Sequence, residues 1–268
     1  MANGLESNKA KIAKRVIEVL EFFDDEHREA TVMDIVRRYE RPQSSTSELL
    51  SSLVDLGLLY KDPCSRSYTL TPRAAMLGSV AQPDLVRDGR LTLLIDRLVA
   101  QTGLSVAVFG MIGLNTQIFS WRAGARALRT SDPKGFCGGL QERLSDSSVG
   151  WLLLSTIGQP RRDGTVRRLN AEAAPERKFG FADMSARIES CQDYHHAIGP
   201  VGFGSLADGC SVLLPGQAGR PMAIGFVYEP SAQIDPAALL FCLNDAIAHC
   251  IEQPDGQIAT VQAFSSAA

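Results

Sequence analysis

The sequence predicts an α+β protein in two parts: a winged helix-turn-helix, then a helix leading into an α/β domain. Two observations carry this reading. Between residues 31 and 70, two short amphipathic segments flank a tight turn and are followed by two alternating segments around a polar loop, the order of a helix, a turn, a second helix and a wing. Beyond residue 103, apolar segments of period two are interleaved with longer segments of helical period, as in a sheet that carries helices.

Size and composition agree with two soluble domains. At 268 residues the chain exceeds a single domain of average length. Its 45% hydrophobic and 21% charged residues are those of an ordinary globular protein. No apolar run approaches the roughly 18–20 residues of a membrane span. The first residues, MANGLESNKAKIAKR, lack the apolar core of a signal peptide. The expectation is a cytoplasmic protein with no membrane partner. Its divisions are expected at 1–78 for the winged helix-turn-helix, 79–102 for a linker helix, 103–254 for the α/β domain and 255–268 for a flexible tail.

Within the first part, Ile12, Val16, Val19, Leu20 and Phe23 recur at helical spacing and predict a helix over residues 9–23 that buries this stripe. Thr31 is placed to cap the next helix, with Asp34 near its positive end. Val32, Ile35, Val36 and Tyr39 form that helix's apolar face. Pro42 suits a first helical position and opens a third helix over residues 42–56. Leu49, Leu50, Leu53 and Leu56 make its expected buried side, and Gly57 its left-handed stop. The opposite side carries Ser44, Ser47, Glu48, Ser51 and Asp55. So many small hydroxyls weaken a helix, because Ser competes with its own backbone, but they suit a helix lying close against DNA. Residues 58–61 and 67–71 then alternate like strands around a loop at 62–66, and Thr71-Pro72 is expected to cap a short helix ending at Gly78.

The net charge of −3 is no signature of nucleic-acid binding, and neither half departs from neutrality: 11 basic and 12 acidic residues before position 76, 16 and 18 after it. Distribution says more. Lys9, Lys11, Lys14 and Arg15 cluster near the start, Arg37, Arg38 and Arg41 flank the turn, and Lys61, Arg66 and Arg73 surround the wing. Local basic patches of this kind supply phosphate contacts in a neutral domain. The candidate DNA-binding residues are Arg41, Gln43, Ser44, Ser45, Thr46, Ser47, Glu48, Ser51, Lys61 and Arg66.

Other chemistry is weakly signalled. Six cysteines are scattered without a CxxC pair, as buried thiols of a reducing compartment are, and no cofactor or metal site is expected. His195-His196 is the sole histidine pair and leaves a haem or metal sensor as an open alternative. GxSxG, GxGxxG, P-loop and HExxH motifs are all missing, so no catalytic residues are assigned and no enzyme is expected. The run from 161 to 178 is densely charged and reads as a solvated helix.

The order of helices, the stretch PQSSTSELLSSLVDLGLL and a wing closing on SYTLTPRAAMLG resemble the IclR family of transcriptional regulators, with the MarR-type winged helix a near relative. Glu48 stands where that family has a basic residue. The resemblance continues through an apolar stripe over 84–101 matching a linker helix, a hairpin LSVAVFG–MIGL–NTQIFSW, and a loop at 144–150 running into WLLLS. A last hairpin around Cys210 and 222–228, and a closing helix over 236–252, complete it. It implies a GAF-like α/β effector-binding domain, double-stranded DNA and a small-molecule effector as partners, and a homodimer or tetramer.

In proteins of that family the effector lies on the concave face of the sheet beside the loop entering the buried helix. The matching positions here are Ser147, Ser148 and Gly150, with Cys210 on the facing strand. Trp151 follows Gly150 and, with Trp121, offers an apolar wall; Asp193, Tyr194 and His195 precede the Cys210 strand and would line the opening. A loop entering a helix presents unpaired N–H groups that suit an anion, so the effector expected is a carboxylate or aromatic acid. The segment 193–209 reads as a mobile rim or a long surface loop. A winged helix used to dock a protein, without specific DNA binding, remains the alternative from another class.

Overall fold

A computed structural model describes residues 8–24, 27–79, 82–130, 135–216 and 219–252. The expected tail at 255–268 and the side chain of Lys9 lie outside them. The chain divides between Gln82 and Pro83 into two compact units.

The N-terminal unit holds α1 (Asn8–Phe22), α2 (Val32–Tyr39), α3 (Gln43–Asp55), the paired strands β1 (Leu59–Lys61) and β2 (Tyr68–Leu70), and a short α4 (Pro72–Met76). α2 starts on a full capping box: Thr31 Oγ1 accepts from the Asp34 N–H, and the Asp34 carboxylate accepts from the Thr31 N–H at 2.8 Å. Val19, Phe22, Ile35, Leu50, Leu53, Leu59 and Tyr68 close the core. Two expected stripes are rotated. Ile12 is exposed, while Phe22 and Glu18, its carboxylate included, turn inward; Leu56 is exposed, and Thr46 takes the buried place beside Leu50. Helical period names a face but leaves its edges open by a residue. Thr71 does not cap α4 with its side chain; its hydroxyl donates back to Gly57 O at 2.6 Å, tying α4 to the end of α3.

The C-terminal unit begins with α5 (Asp84–Arg87) and α6 (Arg90–Thr102). The single linker helix expected over 84–101 is broken, because Gly89 sits at φ 76°, outside helical geometry. Leu91, Leu94, Ile95 and Leu98 of α6 are buried in this unit's own core. There follow β3 (Ser105–Ile112), β4 (Asn115–Arg122), β5 (Gln141–Arg143), a 3₁₀ turn at Leu144–Asp146, α7 (Ser148–Ser155), α8 (Arg161–Ala171), α9 (Phe181–Tyr194), β6 (His196–Pro200), β7 (Asp208–Leu213), β8 (Met222–Tyr228) and α10 (Pro236–Ile247). The strands form one antiparallel sheet in the order β5-β4-β3-β8-β7-β6.

Both faces of this sheet are covered. Val106, Val108, Cys210, Val212, Ile224 and Phe226 pack against α6 and α10. Ala107, Phe109, Ile118, Ala223 and Val227 pack against α7 and α9. Across β3 and β4, the Phe119 ring lies over Gly110, where a Cβ would stand 2.1 Å from a ring carbon. The segment 193–209 is neither a rim nor a free loop. It contains the end of α9 and all of β6, and its Val201, Phe203 and Ala207 are buried, Phe203 stacking on Phe109 with ring centroids 6.2 Å apart.

Candidate nucleic-acid interface and ligand sites

α3 presents Gln43, Ser44, Glu48, Ser51, Ser52 and Asp55 on its exposed side, with Ser47 half-buried at the edge. Leu50 and Leu53 anchor the opposite side in the core, so the helix is held by its apolar face and leaves its hydroxyl face outward. Of the expected contacts, Thr46 is a correction. It is 1% exposed, and its hydroxyl donates to Pro42 O at 2.9 Å, so it secures the first turn of the helix instead of reaching DNA. Ser45 also donates to Pro42 O and accepts from Arg15 Nη2 at 3.2 Å, which brings a basic residue of α1 beside the start of α3.

Arg41, at the turn, is drawn toward α1: its Nη2 donates to the Glu18 carboxylate at 3.0 Å, and Tyr39 donates to the Glu18 carbonyl at 2.7 Å. A half-exposed guanidinium on a buried carboxylate fixes where the turn enters α3. In the wing, Asp62 Oδ1 accepts from the N–H groups of Cys64 and Ser65 at 2.7 and 2.8 Å, and these bonds hold its carboxyl below the ordinary carboxylate range. The tight loop leaves Arg66 at φ 58° and exposed at the tip, and Lys61 exposed with its Nζ 5.4 Å from the Tyr68 ring centroid. Arg37 and Arg38 are exposed in the last turn of α2.

The expected effector positions fare differently. Ser147 is the N-cap of α7, its Oγ accepting from Gly150 N–H at 3.1 Å. Ser148 donates to Gly199 O of β6 at 3.2 Å. Both serines are fully buried. Gly150 is required for close packing, since a Cβ there would lie 2.2 Å from Leu144 O. Trp151 donates from Nε1 to Ser145 O at 2.8 Å and carries the Arg187 guanidinium over its ring at 4.6 Å. Trp121 stacks on Phe136 with centroids 4.7 Å apart. Asp193 is exposed on α9.

Cys210 is the clearest correction. It faces α6 and α10, away from α7, and burial pushes its thiol up to about 12. The strand residue on the α7 side is its neighbour Ser211, 1% exposed, whose hydroxyl has no hydrogen-bond partner among the described residues. Strand alternation carries both faces equally, so only the fold shows which residue of the pair looks toward α7.

His195 is the left-handed cap of α9 and His196 opens β6. Among the described residues, no three His, Cys, Asp or Glu side chains gather as metal ligands would. No helix of the described residues is long and apolar enough to cross a membrane.

A cleft that the sequence reading did not locate lies at one end of the sheet. Its volume is about 770 Å³, and its walls include Met111 and Leu114 of the β3–β4 hairpin, Thr156 and Ile157 after α7, and Arg161 and Arg168 of α8. Arg143 holds α8 from below, its guanidinium donating to Leu169 O at 2.7 Å and Glu172 O at 3.3 Å. None of the six expected effector residues lines this cleft.

Taken together, these features define a winged helix-turn-helix protein with a sheet-based second domain. Residues 13–63 match the family model of the IclR helix-turn-helix domain. Solved structures match along nearly the whole chain. An IclR homolog from Microbacterium hydrocarbonoxydans, complexed with 4-hydroxybenzoate, has 18% identity and a TM-score of 0.56, covering 89% of this chain and 97% of its own. The IclR of Thermotoga maritima has 13% identity and a TM-score of 0.56, covering 91% and 96%. An IclR family transcriptional regulator from Brucella abortus has 18% identity and a TM-score of 0.50, covering 93% and 97%. Curated proteins gave no match. Residues 13–63 thus carry the pattern of an IclR helix-turn-helix domain, and the chain shares the fold of these solved structures.

Proposed function

We propose that this protein is a ligand-responsive, sequence-specific DNA-binding transcriptional regulator and catalyses no reaction. The observation that carries the DNA-binding half is α3, bolted to the core through Leu50 and Leu53 while Gln43, Ser44, Ser47, Glu48 and Ser51 face outward beside an Arg66-tipped wing. Small hydroxyls allow the helix to sit deep in the major groove, and Gln and Glu carry base-reading chemistry. Glu48 favours an exposed cytosine amino group over guanine, because a carboxylate accepts only. Arg66 and Lys61 supply flanking phosphate contacts.

The responsive half rests on the fold of the second unit and on the complex of the Microbacterium homolog with an aromatic acid. A carboxylate or aromatic acid is the effector class we assign to this chain. We further assign a homodimer or tetramer, in which two copies of α3 reach half-sites about 34 Å apart on one face of the duplex. The effector acts by favouring one arrangement of the copies over another.

The test is selection of genomic fragments by the purified protein at about 0.1 M salt, where exposed charges are already partly screened. Enrichment of a discrete, palindromic site is the expected result. Retention of no duplex at low salt would overturn the reading and point to a winged helix that docks a protein.

A further inference from the structure

The charged run that opens α8 is solvent-exposed, Arg161 and Arg168 included, and it also lines a cleft. Arg161, Thr165 and Arg168 recur at i, i+4 and i+7, so they share one side of the helix, and that side borders the cleft. Val166 and Leu169, on the other side, are buried and hold α8 in place. The apolar side chains of Met111, Leu114 and Ile157 line the same cleft.

The guanidinium of Arg161 has no hydrogen-bond or ion-pair partner among the described residues. Arg168 gives its Nε to Glu172 at 2.7 Å and keeps its remaining N–H groups. Arg161 is therefore the stronger anchor. The lining combines fork-shaped donors with aliphatic and thioether surface, in a volume within the range of small-molecule sites. A bare inorganic anion leaves the apolar lining wet, and a neutral hydrocarbon leaves the guanidinium groups unused. A molecule with both an anionic head and an apolar body satisfies both kinds of lining.

We propose that this cleft binds an amphipathic organic carboxylate, its head on Arg161 and Arg168 and its body against Met111, Leu114 and Ile157. The assignment rests on the reading of the second unit as an effector domain, and it adds a site at α8 that is separate from the α7 loop.

The experiment is calorimetric titration of the full chain with benzoate and octanoate, with inorganic phosphate as the head group alone. The expected result is binding of at least one carboxylate, weakened about tenfold by Arg161→Gln. Gly158 lines the cleft, has no neighbour within 4 Å of where a Cβ would stand and does not adopt a positive φ, so Gly158→Phe obstructs the cleft without a clash. That variant is expected to abolish binding while the thermal midpoint of the unliganded protein is kept.

Four outcomes overturn the proposal: binding undiminished in both variants, binding lost in Ser211→Ala alone, binding of phosphate alone, or no binding up to about 10 mM. Loss in Ser211→Ala alone would put the carboxylate on the inner face of the sheet. The DNA selection is read separately. Retained duplex with no carboxylate binding keeps the regulator and discards the cleft, and the reverse result keeps the cleft and discards the regulator.

Discussion

The two units place their hydroxyl groups in opposite ways. In the N-terminal unit, Ser44 and Ser51 stand on a helix face that nothing in the unit covers, while stability comes from Leu50 and Leu53 behind them. In the C-terminal unit, Ser147 and Ser148 lie at the start of α7, fully buried, and are consumed by a helix cap and by a carbonyl of β6. A groove-reading helix separates recognition from stability by side. A helix clamped over a sheet has no free side, so polar residues at its start serve the scaffold.

The sharpest way to break this comparison is Gly150→Ala. The added Cβ would meet Leu144 O at 2.2 Å, and a destabilisation of about 3 kcal/mol is expected by denaturant unfolding. An unchanged midpoint would mean that Gly150 is free to face a ligand. Next comes a contrast within α3. Thr46→Val removes a buried bond to Pro42 O and is expected to lower stability by about 1–2 kcal/mol. Ser44→Ala, two residues away, is expected to leave stability within about 0.5 kcal/mol and to weaken duplex binding severalfold. Equal behaviour of the two variants in both assays would sink the idea that α3 has a structural and a reading side.

Glu48→Arg sharpens the reading side further. Expected are a changed preferred site and a steeper loss of affinity with salt, by about one unit of slope, from an added phosphate contact. The same site and slope as wild type would remove Glu48 from the groove. The smallest effect concerns pH. Bonds from the Thr31 N–H and hydroxyl hold the Asp34 carboxyl below its ordinary value. Its contribution to stability is then complete above about pH 4, the unfolded value, and is lost as pH falls through the lowered folded one. Denaturation curves between about pH 2 and 5 should show a shallower pH dependence in Asp34→Asn than in wild type. Parallel curves would mean that the capping box adds nothing.

What could be read in advance follows the range of the forces involved. The Thr31 cap, the stop at Gly57 and the polar face of α3 depend on residues within a turn or two of each other, and all were legible; the return bond from the Thr31 N–H to Asp34 was not read. The identity of the inner sheet face was not. Cys210 and Ser211 alternate, both faces are covered by helices, and both therefore lack the polar-out signature that would tell them apart. The cleft escaped for a related reason. Met111, Ile157 and Arg161 come from three elements, and only the closing of the hairpin against α7 and α8 makes them neighbours. Its one local trace, Arg161–Thr165–Arg168 on a single helix face, was visible but indistinguishable from a solvated surface.

The ring of Phe119 over Gly110 has a consequence for how this sequence can drift. Position 110 has no room for a methyl group while the ring is in place, and the obstructing atoms all belong to that one side chain. The two sites are thus coupled: 110 can grow only if the ring at 119 shrinks or swings out toward the solvent that it already half meets. A residue larger than glycine at 110 is therefore expected together with a smaller or displaced side chain at 119.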